Sequence, residues 1–171
     1  MNVTIVMTII SADRPGLVGQ LSTVIADHGG NWLESRMAHL GGHFAGILRI
    51  KLTAEQEPKL LAALRALSDQ GLTVTTHPGD ASPAGAGQLV TVNVVGHDRP
   101  GIIRQISQVF AAHHINVEDL ASHCESAPMS GEMLFHATAT VQLPATVKLP
   151  ELRRALEALA TDLMVDINVT L

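Results

Sequence analysis

The chain carries one 19-residue segment twice, and this internal repeat constrains the fold more than any other feature. Each copy opens with Asp-Arg-Pro-Gly and closes with Asn, at positions 13–31 and 98–116. The copies align without a gap at an offset of 85 residues (98 minus 13), and 10 of the 19 positions are identical. Such self-similarity predicts two copies of one structural unit in tandem. A chain of 171 residues is long enough for two small domains.

Hydrophobic periodicity predicts the element order β-α-β-β-α-β in each copy. In the first copy, strands are predicted at 3–9, 32–40, 44–52 and 72–77, with helices that begin at Pro15 and Pro58. The second copy repeats this order at 89–95, 100–114, 117–124, 133–143, 150–161 and 164–171. This order is typical of the ferredoxin-like fold, an α+β architecture in which helices cover one face of an antiparallel sheet. The fold alone does not specify a function.

Spacing and composition predict where the two domains meet and where they differ. The segment from Pro78 to Gln88 is rich in small residues, so we predict a first domain at 1–79, a linker at 80–87 and a second domain at 88–171. The second predicted helix begins at Pro58 in the first copy and at Pro150 in the second. The offset between these two positions is 92 residues, seven more than the 85 that separate the first helices. We expect the seven additional residues in the hairpin around "HCESAPMSGEM", residues 123–133.

Composition and charge exclude several classes of protein. Apolar residues make up 46% of the chain but aromatic residues only 2%, so the cores must be aliphatic. The net charge of −5, with 11 Lys plus Arg, argues against a phosphate-binding surface and therefore against direct binding of nucleic acid. A lone Cys124 excludes an intramolecular disulfide. The apolar N-terminus lacks the basic region and cleavage signal of a secretion signal, so we expect a cytoplasmic protein without a membrane anchor.

The repeated turn from the first strand to the first helix suggests a binding site for a zwitterion. A helix N-terminus offers unpaired N–H groups and about half a positive charge, which suit a carboxylate. Gly16 and Gly101 would let a ligand approach that backbone, and Asp13 and Asp98 could attract its ammonium group. An asparagine amide, which donates and accepts hydrogen bonds, follows each helix. A free amino acid has the charges that these groups would complement.

These motifs, with DRPG before an amphipathic helix and "GGN" or "HIN" leading into a strand, resemble the ACT domain, a regulatory module that binds amino acids. The resemblance covers nearly the whole chain twice, and it implies that ligands lie at an interface between ACT domains. The ligand-binding residues that it implies are Asp13, Gly16, Leu17 and Asn31 in the first copy, and Asp98, Gly101, Ile102 and Asn116 in the second.

The "NWLESRM" stretch is similar to free-standing tandem ACT proteins. That likeness implies a transcriptional regulator of the glycine cleavage system that binds a small amino acid, glycine first and serine second, and acts through a partner protein. It also implies a homo-oligomer. The second copy departs from the pattern, because His113-His114 replaces the His-Gly-Gly helix ending and the hairpin is longer. Unequal binding by the two copies is therefore expected.

Three other interpretations compete with an amino-acid sensor. Asp13 and Asp98 could merely cap a helix, and Asn31 and Asn116 could merely turn the chain. The chain could be a structural or interaction module without a ligand. It could be a small enzyme that uses Asp and His, but no activated nucleophile stands out, and the nine histidines match no metal-ligand spacing. We expect no catalytic residues, no metal and no cofactor.

Overall fold

Each half of the chain forms a four-stranded antiparallel sheet with two helices on one face, in a computed structural model that describes residues 1–79 and 87–171. The first unit contains β1 (Asn2–Ala12), α1 (Leu17–Asp27), β2 (Asn31–Leu40), β3 (His43–Thr53), α2 (Glu57–Ala66), a 3₁₀ turn (Leu67–Gln70) and β4 (Thr73–Pro78). The second contains β5 (Gln88–His97), α3 (Ile102–Ala112), β6 (Asn116–Ser126), β7 (Met133–Leu143), α4 (Leu149–Leu163) and β8 (Val165–Thr170).

The two sheets have the same topology. The strand order is β2-β3-β1-β4 in the first unit and β6-β7-β5-β8 in the second, and every neighbouring pair is antiparallel. In both sheets the strands that flank the first helix in sequence are separated in space by the third strand. The predicted fold class, two tandem ferredoxin-like βαββαβ domains, is confirmed.

The core of each unit follows from the alternation of side chains along the central strands. Apolar residues at every second position of β1 and β3, and of β5 and β7, point to the face that the helices cover. The first core contains Ile5, Met7, Ile9, Leu21, Ile25, Leu48, Ile50, Leu60 and Leu64, and the second contains Val90, Val92, Val94, Ile106, Phe110, Ala139, Val141, Leu152 and Leu156. Both cores are largely aliphatic, as the composition predicts.

The first helix of each copy begins two residues later than predicted. Pro15 does not occupy the first helical position, because Gly16 follows it with a φ of 89° and α1 begins at Leu17. Gly101 has a φ of 96°, and α3 begins at Ile102. A residue with this left-handed backbone cannot belong to a right-handed helix, so the helix starts after it. Glycine adopts this conformation without the steric cost that other residues incur.

The pairing registers locate the additional residues of the second copy. Asn31 pairs with Lys51, whereas Asn116 pairs with Gln142, so the offset is 85 in the edge strand and 91 in its neighbour. Six of the seven residues therefore lie in the β6–β7 hairpin, as predicted. The seventh lies between β7 and α4, because the offset reaches 92 at Pro150.

The chain divides into the units Met1–Ser82 and Pro83–Leu171. The predicted linker, 80–87, falls on residues 80–86, which lie outside the described residues, so its boundaries stay a prediction. Among the helices in the described part of the chain, none has the length and apolar character that a membrane span requires.

The left-handed turn yields a test with a control in the same helix. Gly16→Ala should lower the free energy of unfolding by about 1 kcal/mol, because its φ of 89° is unfavourable for alanine even though a Cβ atom would meet no atom within 4 Å. Gly19→Ala, inside α1 with equally open surroundings, should raise it by up to about 1 kcal/mol. Chemical denaturation measures both, and a change of the same sign in the two variants would refute this role of Gly16.

Candidate functional site

In each unit, the aspartate of the DRPG turn forms a backbone hydrogen bond with the neighbouring hairpin. The backbone N–H of Asp13 donates a 2.9 Å hydrogen bond to the carbonyl oxygen of Gly42. The backbone N–H of Asp98 donates a bond of the same length to Met133, which occupies the equivalent position at the offset of 91. The main chain of both aspartates is thus fixed, while their side chains remain exposed.

The helix that follows each turn has no side-chain cap from its N-cap residue. Gly16 and Gly101 occupy the N-cap position, and glycine has no side-chain oxygen for the N–H groups of the first turn. Asp13 and Asp98 lie three residues before it, so the interpretation of these aspartates as simple N-caps is wrong. The Gly16 turn is open, since no atom lies within 4 Å of a Cβ built there. These N–H groups can therefore donate hydrogen bonds to an anion.

An arginine links each turn to the 3₁₀ turn after α2 in the first unit and to the last turn of α4 in the second. Arg14 donates hydrogen bonds to Gln20 at 2.8 Å and to the carbonyl oxygen of Gln70 at 3.3 Å. Arg99 donates to the carbonyl oxygen of Asp162 at 3.4 Å, and Asp162 is the counterpart of Gln70 at the offset of 92. Asp162 lies in the last turn of α4, where a cation suits the negative end of the helix. These arginines thus have a structural partner in each unit.

The two aspartate side chains face equivalent positions that hold different residues. The carboxylate of Asp13 lies 3.5 Å from Nε2 of His39. The carboxylate of Asp98 lies near the thiol of Cys124 and raises its pKa, and residues 39 and 124 are equivalent at the offset of 85. The same acidic group therefore meets an imidazole in one copy and a thiol in the other.

The environment of Cys124 makes it a poor nucleophile. Local desolvation raises the pKa of the Cys124 thiol above its ordinary value, and the charge and hydrogen bond of Asp98 raise it further. Because the thiolate is the reactive form, a raised pKa suppresses reactivity at neutral pH.

The predicted site residues do not all lie together. Leu17 and Ile102 are only 4% and 2% exposed, so their side chains belong to the cores and only their main-chain groups could contact a ligand. Asn31 and Asn116 are exposed at the start of the edge strands, and the side-chain amide of Asn116 donates to Glu118.

Within one unit, the asparagine lies at the opposite end of the sheet from the turn. Asn31 pairs with Lys51, which pairs with Thr4, whereas Asp13 comes nine residues after Thr4. Nine residues of strand span on the order of 30 Å. Asp13 and Asn31 of one unit therefore cannot contact the same small amino acid, and the equivalent registers exclude such a contact for Asp98 and Asn116.

A small apolar cavity distinguishes the second unit. It has a volume of about 40 Å³ and lies between α3 and the sheet, where Phe110, Val92 and Val117 contribute to its walls. The counterparts of these two valines at the offset of 85 are Met7 and Trp32, which pack in or against the first core. The first unit thus has larger side chains at both positions.

The contact between Asp98 and Cys124 can be tested by thiol chemistry. Asp98→Asn removes the negative charge that disfavours the thiolate, so the pKa of Cys124 should fall and alkylation should become faster at pH values below that pKa. Cys124 is the only cysteine, so the rate of modification against pH reports on this site alone. Asp13→Asn is the matched control and should leave the profile unchanged. An unchanged profile in Asp98→Asn would contradict the contact.

Comparison with known proteins assigns the chain to a family. Models of the ACT domain match residues 3–77 and 90–160. The glycine cleavage system transcriptional repressors of Escherichia coli K12 and Shigella flexneri are each 31% identical over 166 residues, which cover 93% of this chain and 85% of theirs. A crystal structure of a Galdieria sulphuraria protein of unknown role matches with a TM-score of 0.83 and 26% identity, over 99% of this chain and 98% of that one. The chain belongs to the ACT-domain family, as a tandem ACT-domain protein similar to the glycine cleavage system transcriptional repressor.

Proposed function

We propose that this protein senses a small amino acid and regulates transcription of glycine cleavage genes through a partner protein. Its ACT domains and its similarity to transcriptional repressors support a regulatory role. The observation that carries amino-acid sensing is the recurrence, in both units, of an uncapped helix N-terminus next to an exposed aspartate. Glycine is the first candidate ligand and serine the second.

The chemistry of the turn favours a zwitterion over a simple anion or cation. The first N–H groups of α1 and α3 would bind the ligand carboxylate, because the positive end of the helix dipole lies there. The carboxylates of Asp13 and Asp98 would bind the ammonium group. A ligand that lacks either charge would leave one of these groups without a partner.

The asparagines would take part only if a second ACT domain is present at the site. Asn31 lies on the order of 30 Å from Asp13 along the strands of its own unit, so it cannot reach a ligand held by that turn. A homo-oligomer, in which another copy of the chain supplies the asparagine, would bring both groups to one ligand. We therefore include Asn31 and Asn116 as ligand-binding residues of an oligomer.

Unequal affinity of the two copies is a further part of the proposal. His39 near Asp13 can carry a positive charge that competes with the ligand ammonium group, whereas Cys124 near Asp98 stays neutral. The Asp98 carboxylate would then be more available to a ligand. We expect the second copy to bind the amino acid more tightly.

Regulation through a partner fits the charge of the chain better than direct binding of DNA. The net charge is −5, so long-range electrostatics oppose contact with phosphates. The protein would therefore affect transcription by binding another regulator, without catalysis. A structural module that binds no amino acid is the main alternative.

A screen of the twenty amino acids by thermal shift and calorimetry tests the proposal. A ligand at a hundredfold excess over its Kd should stabilise the native state by about 2.7 kcal/mol. The double variant Asp13→Ala, Asp98→Ala should lose this stabilisation and keep its fold. Asp27→Ala, which removes an exposed charge at the other end of α1, is the control and should bind as the wild type does. Absence of any stabilising amino acid would leave the interaction module as the function.

A further inference from the structure

Three side chains with metal-binding atoms converge on the β6–β7 hairpin of the second unit. His123 and His136 are directly paired across the two strands, and Glu125 lies two residues after His123 on the same face. The Oε1 atom of Glu125 is 3.0 Å from Nε2 of His136, and its Oε2 atom is 4.0 Å from Nε2 of His123. The two imidazole rings are nearly parallel, with centroids 4.9 Å apart. One ligand atom from each residue lies within 4.8 Å of the others.

This cluster lies on the sheet face opposite the helices. The neighbours of His136 in β7, Phe135 and Ala137, point toward the covered face, where Ala137 is buried. The Nε2 atom of His136 is buried, and within the described residues it makes no well-directed hydrogen bond, although Glu125 approaches it to 3.0 Å. A buried polar nitrogen without a well-directed hydrogen bond is costly unless another group pairs with it. His123 and Glu125 remain exposed enough to adjust.

We propose that His123, Glu125 and His136 form a binding site for a divalent transition metal of the zinc class. Two imidazole nitrogens and one carboxylate oxygen form a donor set that suits Zn²⁺, Co²⁺ or Ni²⁺, whereas Mg²⁺ and Ca²⁺ prefer oxygen alone. Ligand atoms about 2.0–2.1 Å from a tetrahedral ion lie roughly 3.3 Å apart. To bind one ion, the two stacked rings must turn toward a common point, and the exposure of His123 and Glu125 leaves room for that change. The fourth position of the ion would remain open to water.

The first unit provides an internal comparison. At the offsets of 85 for the edge strand and 91 for its neighbour, the equivalent residues are Ala38, Leu40 and Ala45. All three ligand positions are thus apolar in one copy and metal-binding in the other, on strands with the same register. The shared fold does not require the cluster, which points to a property specific to the second domain. The site is independent of the proposed binding of an amino acid at the turns.

Metal titration of the full, untagged and chelator-treated chain tests the proposal. Calorimetry with Zn²⁺ should give one site per chain, and Co²⁺ should give the visible absorption of a four-coordinate ion with nitrogen and oxygen ligands. His136→Ala and the isosteric Glu125→Gln should each weaken binding by about tenfold or more, because even residues that only orient a ligand have effects of about 10–100-fold.

Control variants separate this cluster from the other histidines. His43→Ala and His77→Ala remove exposed imidazoles from the first unit and should leave affinity and stoichiometry unchanged. Circular dichroism of each metal-free variant should match the wild type, and Glu125→Gln, an exposed isosteric change, provides the test if His136→Ala fails to fold. No saturable binding, or wild-type affinity in the cluster variants, would overturn the proposal.

Discussion

The left-handed glycine at the end of each DRPG turn is the constraint from which the candidate site follows. Its positive φ delays the start of the helix until Leu17 or Ile102 and leaves the first N–H groups without a side-chain cap. A backbone bond from the preceding aspartate fixes the turn to the hairpin, and an arginine fixes it to the 3₁₀ turn after α2 or to the last turn of α4. The position of the open amides is therefore determined by the fold before any ligand arrives.

Around this constant turn the two copies have diverged in residues that affect chemistry. The aspartate faces His39 in one unit and Cys124 in the other, so one neighbour can be charged while the other stays neutral. Two valines line a cavity in the second core at positions where the first core has Met7 and Trp32. The second sheet alone carries the His123–Glu125–His136 cluster in place of apolar residues. The two domains thus share one scaffold and differ in the side chains around the turn, in the core and on the open face of the sheet.

The repeat and its periodicity suffice to predict the fold class, the strands and the location of most of the additional residues, because those features depend on local patterns. Three features required tertiary structure. The start of α1 depends on the backbone angle of Gly16, and the distance between Asp13 and Asn31 depends on the strand order. The pairing of His123 with His136 depends on the strand register, which cannot be read from the sequence because the length of the hairpin loop is not known in advance. A pattern of His-x-Glu on a strand is the only local signal of the cluster.

Backbone amide chemical shifts offer the most direct measurement of the central claim, that the uncapped helix starts bind the carboxylate of an amino acid. Glycine should shift the amide resonances of residues 16–19 and 101–104 in a saturable manner, and glycinamide, which lacks the carboxylate, should not. Saturable shifts confined to other parts of the chain, or equal responses to glycine and glycinamide, would contradict it.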